Sequence, residues 1–223
     1  MTPSHDEVHE IETSFIQKFR LAKDFDPQVR PAYYLAEFVH REEKYGDRPY
    51  IVHPAAVAAL AHGWMSYYAP MDTSVDRTLH AHRPLVLQAC LLHDALETED
   101  VGSYIGAVGD IRLLLACEFC CNVKGRSRRE THELTIAKQM NLVGDFHDLH
   151  EHNALARYGI LYGAIAKLFD RLANTRRRPD RKMADVYRRE HTAFASVMRP
   201  LGAHSELVPL ILSRIEHELS HDD

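Results

Sequence analysis

YGILYGAIAKLFDRLANTRRR, residues 158–178, reads as a helix that is apolar around most of its circumference, the pattern of a helix buried at the centre of a bundle. Its exceptions share one side. Lys167, Asp170, Asn174 and Arg177 follow at i, i+3, i+7 and i+10, so they form a polar stripe down the helix. A buried carboxylate needs a partner, because leaving one unpaired in an apolar interior is expensive. Asp170 is therefore a candidate ligand or ion-pair residue.

Outward from that helix, the same 3.6-residue periodicity recurs. Helices are expected over 30–44, with Pro31 near the start, over 53–68, and from Pro84 through LLHDALET. Further helices are expected over IRLLLACEFCCNV (111–123), THELTIAKQMNL (131–142), 183–199 and 206–220. A short helix can begin at VGSYIGAVGD, and MDTSVDRTLHAHRP reads as a connection, partly loop. YGDRPY (45–50) is a turn punctuated by Gly and Pro. Strand-like alternation is nearly absent, which predicts an all-α, compact bundle of about eight to ten helices. Residues 1–28 read as a helical N-terminal extension, its helix over 5–24, and 29–223 as the main domain.

Composition removes several function classes. No apolar run approaches the roughly 18–20 residues of a membrane span, and the polar start MTPSHDEVHE is no secretory signal, so a cytoplasmic location is expected. A formal net charge of −5 argues against a general DNA or RNA binder. Two local exceptions, KGRSRRE (124–130) and RLANTRRRPDRK (171–182), would suit a phosphorylated small molecule or form solvated helix ends. The four cysteines, at 90, 117, 120 and 121, lack zinc-finger spacing and read as buried reduced thiols. Oligomerisation is left open.

The chemistry gathers at LLHDALETED (91–100), where a greasy helix ends in acids. If that helix continues, His93 and Glu97 (i, i+4) share a face with Asp94. A metal ion would resolve the cost of burying such a His-Asp pair. His53, ahead of Pro54, is placed to project from the start of another helix. Each piece has an ordinary explanation alone: a surface dipeptide, an ion pair, a helix-end histidine. The order His…His-Asp…Asp on helices of an all-α chain is more specific.

Three segments carry a family likeness: AEFVHREEKYGDRPYIVHPAAVAAL, LQACLLHDALET and AKLFDRLANTR. With PYIVHP, LLHDALET and KLFDRLAN in that order, the chain resembles the HD-domain phosphohydrolases. Among them it is most similar to the hydrolase domain of the Rel/Spo homologues, of the stand-alone small alarmone hydrolase type. The likeness spans roughly residues 30–200.

That resemblance implies one divalent metal ion, typically Mn²⁺, held by His53, His93, Asp94 and Asp170. It implies a water attacking the 3′-pyrophosphate of guanosine tetra- or pentaphosphate, or the adenosine equivalents, with release of pyrophosphate. Glu97 would serve the water, with Thr98 beside it where the family usually has Asp, and Asn174 would contact ribose or phosphate. Lys44, Tyr45, Lys167 and Arg177 would hold base and phosphates. Lys44 and Tyr45 stand where the family commonly has Arg and Lys, which leaves guanine and adenine both open. The competing readings are an HD phosphohydrolase acting on NADPH or another nucleotide, and a catalytically weakened nucleotide-binding module.

Overall fold

The computed structural model describes residues 27–67, 74–97, 110–148, 153–176 and 181–220. The helix expected over 5–24, the VGSYIGAVGD helix, Thr98 and Arg177 lie outside the described residues. Within them the protein is all-α, with nine α-helices and one two-stranded hairpin. They run α1 (Arg30–Val39), β1 (Lys44–Tyr45), β2 (Arg48–Pro49), α2 (Val52–Tyr67), α3 (Ser74–Ala81), α4 (Arg83–Leu91), α5 (Ile111–Cys120), α6 (Arg128–Asp148), α7 (Ala154–Arg176), α8 (Arg181–Met198) and α9 (Leu207–Ser220). Short 3₁₀ turns cover Ala95–Glu97 and Arg199–Ala203. No helix among the described residues is long and apolar enough to cross a membrane.

α7 is the central element, as its all-round apolar surface requires. Every residue from Gly159 to Ala166 is buried, and so are Leu168, Phe169, Asp170 and Leu172. It packs against α5, α9, α4 and α2. Burial of a side chain such as Phe169, in edge contact with Trp64, contributes about 1.5–3 kcal/mol. α5 approaches most closely, and two glycines one turn apart permit it. A Cβ on Gly159 would lie 2.9 Å from the Arg112 carbonyl oxygen, and one on Gly163 would lie 2.6 Å from that of Ala116. The Cys120 thiol donates to the Gly163 carbonyl at 3.2 Å across the same contact. Cys90, Cys117 and Cys120 are buried free thiols, as expected, and Cys121 is a half-buried one.

Several boundaries differ from the sequence expectations. The helix expected over 30–44 stops at Val39, because Lys44 and Tyr45 pair with Pro49 and Arg48 in the hairpin. Gly46 makes its two-residue turn, with φ of 69° in the left-handed region that suits glycine. The connection expected to be partly loop contains the amphipathic α3. α6 begins at Arg128, three residues before its apolar pattern does, with the Ser127 hydroxyl accepting from the Glu130 N–H.

Candidate metal centre

The hairpin leads directly into α2. Tyr50 extends the hairpin by donating its N–H to the Glu43 carbonyl (3.1 Å), and its own carbonyl accepts the His53 N–H (2.9 Å). His53 is thus fixed in the first turn of α2, pointing towards Asp170 on α7. The helix α4 delivers His93, though not as its spacing suggested. α4 ends at Leu91, followed by a turn and the 3₁₀ segment Ala95–Glu97. His93, Asp94 and Glu97 therefore do not share an α-helical face. The cause is local: His93 Nδ1 donates to the Cys90 carbonyl at 2.8 Å, taking the acceptor the next helical turn would have used.

That bond also decides the chemistry of the ring. With Nδ1–H spent on a carbonyl, the ring would present its Nε2 lone pair inward once a cation replaced the proton there, the arrangement of a metal-ligating histidine. His93 Nε2 is fully buried. It lies 2.9 Å from Asp94 Oδ2 and 3.6 Å from Asp170 Oδ1, and His53 Nε2 lies 3.1 Å from the same Asp170 oxygen. Donor atoms of His53, His93 and Asp170 all fall within 4.8 Å of one another. Adjacent donors on an ion with bonds of about 2.1 Å sit roughly 3.0–3.4 Å apart, so His53 and Asp170 already have the spacing of two ligands on one divalent cation, and His93 lies slightly wider. Asp94 is not part of that trio. Its Oδ2 instead receives the Tyr50 hydroxyl at 2.6 Å beside His93.

The electrostatics ask for positive charge at the same point. Burial pulls the His93 pKa down, but Asp94 and Asp170 outweigh it and push it up to about 10. Burial works against ionised Asp170 and Asp94 as well. Lys167 and His93 nevertheless hold Asp170 well below the usual carboxylate range, and His93 does the same for Asp94. Lys167, 3.1 Å from Asp170 Oδ2, stays charged despite burial, because Asp170 and Asp94 raise its pKa. Glu97 shifts the other way: burial and then Asp94 raise its pKa, against the opposing pull of Lys167 and Asn122. Its Oε1 accepts from the Asn122 backbone N–H (3.1 Å) and side-chain amide (2.6 Å).

A cavity of about 260 Å³ opens over the trio, lined by His53, Asp94, Lys167, Asp170 and Asn174 on its inner side. Tyr45 lines it too, its ring stacked on His53 (4.6 Å between centroids, 27°) and its hydroxyl donating to Asn174. Lys44, by contrast, is exposed on the hairpin and does not line the cavity, nor does Glu97. The remaining wall comes from α6, α7 and α8. Both locally basic stretches reach it, through Arg128 and Arg171, and both arginines bind Glu190, at 3.0 and 3.4 Å. Arg171 also lies over the rings of Tyr187 and Phe194. Tyr50, Asn122, His132 and Glu190 were not singled out in the sequence. Tyr50 sits inside PYIVHP and was within reach of inference, whereas the others depend on contacts between distant segments.

No protein-family model matches this chain, and no curated protein or solved structure matches it.

Proposed function

We propose that the protein is a metal-dependent pyrophosphohydrolase of alarmone-type nucleotides. It would cleave the bond between phosphorus and the ribose 3′ oxygen in a guanosine or adenosine 3′-pyrophosphate. The observation that carries the reading is the convergence of His53, His93 and Asp170, with all three donor atoms within 4.8 Å of one another, beside a cavity lined by His53, Asp170 and Lys167. His53, His93 and Asp170 would hold one divalent ion, with Asp94 the adjacent carboxylate. Mixed imidazole and carboxylate donors suit Mn²⁺. When bound, such an ion lowers the pKa of a water and polarises a phosphoryl oxygen.

The chain's own groups do the rest. Glu97 does not line the cavity itself but is held by Asn122, which does; with a pKa raised by burial, it is the group we assign to accept a proton from the attacking water and return it to the departing ribose oxygen. Lys167 supplies a fixed positive charge to phosphate oxygens. Asn174, on the cavity wall one turn from Asp170, would meet the ribose or its phosphate with the amide N–H that Asp170 leaves free. Water's oxygen would finish on the released pyrophosphate, and the nucleoside would keep its 3′ hydroxyl.

The test is a panel of nucleotides incubated with the Mn²⁺-loaded protein, with pyrophosphate and phosphate measured separately. Release of pyrophosphate from a 3′-pyrophosphorylated nucleotide is the expected result. Phosphate release alone, or no turnover of any nucleotide, would sink the proposal.

A further inference from the structure

We infer that Tyr45 and Tyr50 are positioning residues for the metal centre, and that the hairpin carrying them is a clamp that sets its affinity. The inference rests on the proposed metal centre and is independent of which nucleotide is hydrolysed.

Each phenol reaches a carboxylate by a different route. Tyr50 donates directly to Asp94 Oδ2 at 2.6 Å, within the range of a charge-assisted O–H···O⁻ bond. Tyr45 acts through Asn174. Its hydroxyl donates to Asn174 Oδ1 at 2.9 Å, and Asn174 Nδ2 donates to Asp170 Oδ1 at 2.7 Å. Because Tyr45 can supply a proton to the amide oxygen, it determines which way the amide faces and keeps an N–H on Asp170. Of the two Asp170 oxygens, Oδ1 is the one that faces both histidines, 3.1 Å from His53 and 3.6 Å from His93.

The rings bracket His53 as well. Tyr45 stacks on it, and Tyr50 meets it edge-on at 5.9 Å while resting on His40 at 4.5 Å. Two tyrosines five residues apart thus orient one ligand imidazole, the trio's carboxylate and the carboxylate beside His93. Neither hydroxyl is a ligand itself. Tyr45, expected from the family likeness to help hold base and phosphates, has its hydroxyl and one ring face already engaged with the centre. Outer-shell donors of this kind typically change metal affinity about 10–100-fold.

The experiment compares the wild-type chain with Tyr45→Phe, Tyr50→Phe and the double variant. All retain the rings and lose only hydroxyls. Mn²⁺ titrations without nucleotide, followed by the electron paramagnetic resonance of free and bound ion, give the Kd and the symmetry of the bound ion. Thermal melts of the metal-free proteins report folding. Tyr45→Phe should raise the Mn²⁺ Kd about tenfold, because the Asn174 amide it orients donates to the ligand oxygen of Asp170. Tyr50→Phe, whose partner Asp94 lies outside the trio, should raise it by less, and both should alter the bound-ion spectrum. Wild-type Kd and spectrum in both single variants would overturn the inference. So would a lower melting temperature with Mn²⁺ affinity intact, which would mean the hydroxyls serve only the fold. If the wild type binds no Mn²⁺, the metal centre and the clamp fall together. If it binds Mn²⁺ but turns over no 3′-pyrophosphate, only the proposed function falls.

Discussion

His53 and Asp170 meet at 3.1 Å, Nε2 to Oδ1, although one opens α2 and the other lies deep in α7. A single carboxylate oxygen faces this imidazole and that of His93, so removing Asp170 leaves two buried rings without a common partner. Asp170→Ala and His53→Ala should each reduce bound divalent metal from about one equivalent to a small fraction of that. Asp94→Ala, which removes a carboxylate outside the trio, should weaken binding less. Elemental analysis of protein purified without chelator checks the order. Full metal content in Asp170→Ala would remove the assignment.

Glu97 is tethered by Asn122 and is not a member of the trio. Glu97→Gln keeps the size and an acceptor oxygen while abolishing the base. It should retain Mn²⁺ and leave nucleotide affinity near wild type, with kcat lower by about 10²–10⁴-fold. Steady-state kinetics beside a Mn²⁺ titration separate the two effects. An unchanged kcat would transfer the role to another acid.

Gly163 faces the α5 backbone with no room for a methyl group. Gly163→Ala would set its Cβ 2.6 Å from the Ala116 carbonyl oxygen and 2.7 Å from Phe119 Cβ, atoms that cannot rotate away. The helices must separate, and overpacking of this kind costs about 1–3 kcal/mol, or a Tm lower by roughly 5 °C. Calorimetry of the variant measures this. A Tm at or above wild type would show that α5 can shift freely.

Asp110 caps α5 by accepting the Arg112 N–H at 2.9 Å and also pairs with the Arg112 guanidinium at 2.6 Å. Hydrogen bonds from the Arg112 side chain, against some desolvation, lower its pKa below the ordinary value of 3.8. A depressed carboxylate pKa means stability that is fully present above the unfolded value and is lost as pH falls through the lower folded one. Asp110→Ala should cost about 1 kcal/mol near neutral pH. The gap between wild type and Asp110→Asn should close below about pH 4. Urea unfolding at pH 7 and pH 3 reads both, and a gap independent of pH would refute the charge contribution.

Apolar periodicity made α2, α5, α7 and α9 legible, because their register is set by burial against one core. The polar stripe on α7 likewise marks Lys167, Asp170 and Asn174. Three things were hidden. The end of α4 at Leu91 depends on a side-chain-to-carbonyl bond from His93, which helix propensity does not register. The hairpin is only two residues per strand, too short for alternation to show. Glu190 binds Arg128 and Arg171 from a different helix, and single-sequence spacing carries no information about such contacts.

The glycine-tight seam between α5 and α7 also bears on how the molecule moves. α7 carries Asp170, and the chain leaving α5 carries Asn122, which holds Glu97. Opening that seam would expose the most enclosed part of the interior, so the backbone amides of α7 around 159–166 should exchange with deuterium only through global unfolding. The proposed base is therefore referenced to the ligand helix through a contact that should open only with global unfolding. The hairpin side, with Lys44, Gly46, Asp47, Arg48 and Pro49 all exposed, can breathe on a much faster timescale.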